Sequence, residues 1–159
     1  MNRFLVLLIV SFILMSAALA FAGNQASHNV NINIPAINNI AVAQPDLYIS
    51  ITSPEAGDEP DPVTEQAGKL LWTTNQTNRK ITVSTPILIE TGIQVQVRPI
   101  NVFGGIGLDW IVIDQSDRDV VTEISKVAGR CDLRYRVTAT TEADPGDYSV
   151  NVLYTLTTN

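Results

Sequence analysis

Cys131-Asp132-Leu133-Arg134-Tyr135-Arg136-Val137-Thr138-Ala139-Thr140 places a nonpolar or aromatic residue at every odd position and a charged residue or threonine at every even one. Successive side chains of a β-strand point to opposite faces, so a period of two marks a strand with one buried face. The alternation holds over ten residues. It makes this segment the natural centre of a sheet.

Working outward, the same period recurs. Toward the C-terminus, Asp144-Pro145-Gly146-Asp147 is a turn, and Tyr148, Val150, Val152, Tyr154 and Leu156 then line one face of a last strand. Toward the N-terminus, Ile93-Gln94-Val95-Gln96-Val97-Arg98, Lys80–Ser84 and Lys69–Thr74 alternate, with Leu70 and Trp72 on one face of the latter. Leu108–Ile113 is more continuously apolar, as in a strand covered on both sides, with Trp110 expected in the core. Leu47–Ile51 alternates, and Ile40–Ala43 is apolar. In Asn29-Val30-Asn31-Ile32-Asn33-Ile34 every even residue is β-branched, every odd one is asparagine, and Pro35 ends the run.

Two segments depart from this pattern. Residues 52–68 are rich in Pro, Gly and acids without an apolar period, which predicts a long exposed loop. Val120, Val121, Ile124, Val127 and Ala128 fall at helical spacing, so residues 118–128 are expected to form one or two helical turns. Short strands separated by turns predict an all-β chain: an Ig-like two-sheet β-sandwich, mostly antiparallel, with at most one short helix.

The first residues bound the location. Arg3, the apolar run Phe4–Met15 and the small-x-small Ala20-Phe21-Ala22 match a secretory signal over residues 1–22. Residues 23–159 are then expected to be a single β-sandwich domain that is secreted, at the cell surface or in the periplasm, with no membrane span after cleavage. Arg3 leaves with the signal, so nine basic residues face sixteen acidic ones, a net charge of −7. Such an acidic chain is a poor partner for nucleic acid. Cys131 is the sole cysteine, which rules out an intrachain disulfide; its place in the alternation predicts a buried small hydrophobe.

The inventory of reactive groups points away from catalysis, and no cofactor is expected. His28 is the only histidine and stands close to the start of the exported chain, where an oriented imidazole is not assured. Gly104-Gly105-Ile106-Gly107 lacks the Lys-Ser/Thr of a phosphate loop and is a turn. A weak calcium candidate exists in Asp114, Asp117 and Asp119, three carboxylates within six residues. Arg118 opposes a cation there, and turn chemistry explains the aspartates equally well. Asn75-Gln76-Thr77 satisfies the glycosylation sequon in an expected turn.

Charge is laid out unevenly. No Lys or Arg occurs from Phe4 to Gly68, whereas Arg130, Arg134 and Arg136 share the face opposite Cys131, Leu133 and Tyr135. That gives two ends of opposite sign and head-to-tail contact between copies, unless the arginines pair with acids of their own domain.

The stretch Pro145-Gly146-Asp147-Tyr148-Ser149-Val150-Asn151-Val152-Leu153-Tyr154-Thr155-Leu156 resembles the closing strand of secreted spore-coat-U-like and fimbrial-subunit sandwiches. The resemblance covers about a dozen residues. Many such subunits carry a cysteine pair near the N-terminus, which this chain lacks. The resemblance implies an Ig-like sandwich without catalytic residues, and assembly by strand donation. Together these readings favour an exported structural or interaction protein: a filament, coat or matrix subunit that associates with itself or with related surface proteins. Val30, Ile32 and Ile34 would form its assembly strand, pairing within its own sheet or filling a groove in a neighbour. The alternative is a secreted binding module for carbohydrate or a surface partner, with tryptophans and tyrosines stacking on sugar rings.

Overall fold

A computed structural model describes Gln25, residues 27–43 and residues 46–159. The expected signal peptide, residues 1–22, lies outside the described residues. The chain divides into two units, Met1–Ile34 and Pro35–Asn159.

The second unit is all-β and antiparallel, with nine strands in two sheets. They are β1 (Asn38–Ala43), β2 (Val63–Thr74), β3 (Arg79–Ser84), β4 (Ile93–Phe103), β5 (Ile106–Gly107), β6 (Ile111–Val112), β7 (Arg118–Ile124), β8 (Val127–Ala139) and β9 (Leu153–Thr158). The first sheet has the order β1-β2-β8-β4-β6 and the second β5-β7-β3-β9. The expected sandwich is present, and no described residue is helical.

β8 is the centre of the first sheet, paired along its length with β2 and β4. Its alternation does what the sequence implies. Cys131 and Leu133 are buried beside Leu70 and Trp72 of β2 and Val95 and Val97 of β4. Ile81 and Val83 of β3, Val120, Val121 and Ile124 of β7, and Tyr154 of β9 close the core from the other sheet. Each such aliphatic side chain stabilises by about 1.5–3 kcal/mol relative to exposure. Gly129 of β8 lies under the Trp72 indole so closely that any Cβ there would collide with the ring.

Residues 118–128 are not helical: they form β7 and the start of β8. The helical spacing comes from β-bulges. Ile81 pairs with Val121 but the next residue, Thr82, pairs with Asp119, and a second shift lies between Arg79 and Ile81. Each extra residue on β7 slips the period of two, so Val120, Val121 and Ile124 all reach the core. Glu123, at φ 56°, takes up part of the distortion.

Leu108–Ile113 is not one strand covered on both sides. The Leu108 N–H still donates to Val120 O in the second sheet at 2.9 Å, whereas the Ile113 N–H donates to Val95 O in the first at 2.9 Å. The apolar run is the crossing between sheets. Leu47–Ile51 is not assigned to a strand either; Leu47, Ile49 and Ile51 are half-buried while Tyr48 and Ser50 are exposed. The acidic loop ends earlier than expected, because Val63–Gln66 join β2 ahead of a bulge between Gln66 and Lys69. No helix among the described residues is long and apolar enough to cross a membrane.

Candidate functional site

Asn29–Ile34 has the strongest alternation per residue in the chain, yet no described residue of 27–37 lies in a strand. Val30 is 70 % exposed, Ile32 79 % and Ile34 72 %. Three β-branched side chains that a strand would place on one face are therefore in water. Their backbone donors and acceptors have no ladder partner among the described residues.

The second unit begins with a set of side-chain hydrogen bonds to residues 35–38. The Asn75 side chain accepts from the Ile37 N–H at 2.9 Å and donates to Pro35 O at 2.7 Å. Asn38 Oδ1 accepts from the Thr74 hydroxyl at 2.8 Å, and Asn38 Nδ2 donates to Gln76 Oε1 at 3.1 Å. β1 then pairs residue for residue with β2, from Asn38 opposite Thr74 to Ala43 opposite Lys69. The sequon asparagine thus has a structural task, which a sequon scan misses. The visible signal was a run of carboxamides, Asn38-Asn39 and Asn75-Gln76, whose pairing only the fold supplies.

The same unit offers free strand edges. β5 and β6 are two residues long, whereas β1 and β9 are six residues each. β9 pairs only with β3, from Leu153 opposite Ser84 to Thr158 opposite Arg79. No strand among the described residues takes its other edge. An unpaired edge of that length is a template for a further strand.

β9 is held in place from inside the sandwich. Tyr154 is buried, and its hydroxyl lies 2.8 Å from that of Tyr135 on β8, a bond between the two sheets. Burial raises both phenol pKa values, Tyr154 well above the ordinary range. Val150 and Val152 pack against the core ahead of the strand. Tyr148 does not join that face: it is 46 % exposed, and its hydroxyl donates to Asp144 O at 2.6 Å. Beside it lies a notch of about 90 Å³, lined by Ile87, Ile89, Ile93 and Val150 among others.

The remaining candidates lie apart. Asp114 accepts from the Ser116 N–H at 2.8 Å and pairs with Arg118 at 2.7 Å, which hold its carboxyl below the usual range. Asp119 pairs with Lys80 at 3.0 Å, and Asp117 is exposed. Among the described residues no group of three or more His, Cys, Asp or Glu side chains comes together to hold an ion. His28 is exposed. Cys131 is buried, and desolvation pushes its thiol up to about 12, so it is a protonated core side chain rather than a thiolate nucleophile.

Of the two tryptophans, Trp72 is in the core at 2 % exposure. Trp110 is not: it is half-buried, and the Arg136 guanidinium stacks over its ring at 4.0 Å. The loss of regular pairing at the sheet crossing turns it outward.

No family model matches the sequence, and no curated protein matches it. Among solved structures, a chain from a chaperone–usher pilus, determined to show the basis of rod uncoiling, is similar to this one. It aligns with a TM-score of 0.42 and 17 % identity over 87 % of this chain and 97 % of that chain.

Proposed function

We propose that the protein is an exported, non-enzymatic structural subunit of a surface filament, coat or matrix. In this reading residues 1–22 are removed as a signal, and copies assemble when Asn29–Ile34 of one pairs with a free sheet edge of the next. The observation that carries the proposal is the exposure of Val30, Ile32 and Ile34 in an alternating segment that pairs with no strand among the described residues. Burying each is worth about 1.5–3 kcal/mol, and the backbone gains a ladder at the same time. β9 is the favoured acceptor: its six residues match the six of Asn29–Ile34, and the Tyr135–Tyr154 bond holds the strand ready.

Sedimentation of the purified protein and of Ile32→Asp tests this. The parent is expected to form oligomers that grow with concentration, and Ile32→Asp to remain monomeric with an unchanged thermal midpoint. A monomeric parent at high concentration, or oligomers that survive Ile32→Asp, would overturn donation. A variant that unfolds would show instead that the strand belongs to its own domain.

A further inference from the structure

The outer face of the first sheet gathers three guanidinium groups, two of which make no ion pair among the described residues. Arg98 on β4 stands directly opposite Arg134 on β8, and Gln96 stands opposite Arg136. Adjacent strands are about 4.8 Å apart and alternate residues along a strand about 6.8 Å, so three arginines share one small patch. Like charges directly opposite one another destabilise a sheet. Arg98 is compensated by Asp109 at 3.1 Å. Arg134 and Arg136 make no ion pair among the described residues. Asp132, the nearest acid along β8 on that face, is taken by the Asn101 amide at 2.8 Å and by Lys69 at 4.0 Å.

The acidic loop does not quench the patch either, although it ends close by. It runs into β2 at Val63, which pairs with Val137, one residue from Arg136. Glu59 is engaged by the backbone N–H of Thr141 at 2.7 Å and its hydroxyl at 2.9 Å. Glu59 and the start of β2 thus lie on the same side of the fold as the end of β8.

Trp110 adds the second component. The Arg136 guanidinium carbon lies over its ring, 4.0 Å from the centroid, which favours one placement of that side chain. Gln94 and Gln96 point to the same face of β4 as Arg98, by the alternation that buries Val95 and Val97. The result is one sheet face that gathers guanidinium donors, amides and one aromatic.

We propose that this face binds an acidic glycan, with a uronate carboxylate accepting hydrogen bonds from Arg134 and Arg136. The glutamine amides would meet sugar hydroxyls, and the Trp110 edge the apolar face of a ring. The set of side chains decides the class of ligand. Arg134 and Arg136 call for an anion, and the Gln94 and Gln96 amides beside Trp110 suit the hydroxyls and apolar face of a sugar ring. A strand of DNA offers the arginines its phosphates but the amides no run of ring hydroxyls. This activity is independent of strand donation and would anchor an assembled subunit to a polysaccharide surface.

The test is titration of the purified protein with an oligogalacturonate at low salt, followed by tryptophan fluorescence, since Trp72 is buried and Trp110 is at the site. Saturable binding is expected that weakens with salt and falls about tenfold or more in Arg134→Gln and in Arg136→Gln, the range for a charge-assisted hydrogen bond. The fully methyl-esterified oligomer and a single-stranded DNA of equal length should bind at least tenfold more weakly. Arg134→Gln should keep or raise the thermal midpoint, because it relieves the opposition to Arg98. Absence of binding, equal binding of the neutral ester or of DNA, or variants that bind as the parent does would overturn the proposal. A midpoint lowered by several degrees in Arg134→Gln would do so too, by making the residue structural.

Discussion

Residues 131–139 and residues 29–34 alternate with the same period, and the fold treats them in opposite ways. In β8 the alternating side chains are core: Leu133 is fully buried, Cys131 is 2 % exposed, and strands pair on both sides. In Asn29–Ile34 the equivalent side chains are 70–79 % exposed and no strand is formed. A period of two says that a segment is suited to a half-buried strand. It does not say which surface buries it. Asparagines alternate with Val30, Ile32 and Ile34, so a strand formed here would carry one polar and one apolar face, and the proposed assembly rests on that.

The largest test of this contrast is truncation on each side of it. Leu133→Ala should cost about 2–5 kcal/mol in denaturant unfolding, because it leaves a cavity at the centre of the sandwich. Ile32→Ala should change the monomer's stability by less than about 0.5 kcal/mol, as exposed sites do. Equal losses at the two positions would mean that Asn29–Ile34 belongs to a sheet of its own domain.

Gly129→Ala sharpens the β8 half. The added methyl meets the Trp72 ring, so overpacking should cost about 1–3 kcal/mol and alter the near-UV signal of that indole. Tyr135→Phe should come next, at about 1–2 kcal/mol by thermal or denaturant unfolding, since it leaves the buried Tyr154 hydroxyl without a partner. It should also loosen β9, so oligomers should weaken more than the monomer does.

The smallest effect at neutral pH appears only in alkali. The Cys131 thiol has an ordinary value of 9.0 and is pushed up to about 12 in the folded chain by burial. Between those values the folded state binds more protons than the unfolded one, so stability falls as pH rises from about 9. Tyr135 and Tyr154, raised in the same direction, add to the fall above 10. Cys131→Val should flatten the first part of that decline, measured by denaturant midpoints between pH 8 and 10. An unchanged slope would show that the thiol is less buried than its neighbours on β8.

Much of the sandwich was legible because the core strands obey simple alternation. Leu70 and Trp72, Val95 and Val97, and Cys131 and Leu133 are each two residues apart, and all six are buried. The errors fall where the backbone breaks that rule. Bulges in β7 imitate a helix, the crossing at Leu108–Ile113 imitates a doubly covered strand, and the latter left Trp110 half-buried instead of in the core. The alternation of Asn29–Ile34 was visible as a pattern, whereas the carboxamide bonds that hold Pro35, Ile37 and Asn38 were not, because their partners lie 36–40 residues apart.

The sequence by itself determined the period of two, the acidic balance and the lone cysteine, since these depend only on residue identity and local spacing. Tertiary structure decided the rest. It set β8 at the centre of a sheet, left one edge of β9 unpaired among the described residues, and brought Arg98, Arg134 and Arg136 onto one face with Trp110. Such placements depend on which distant strands pair and in what register, and period alone carries no record of the partner.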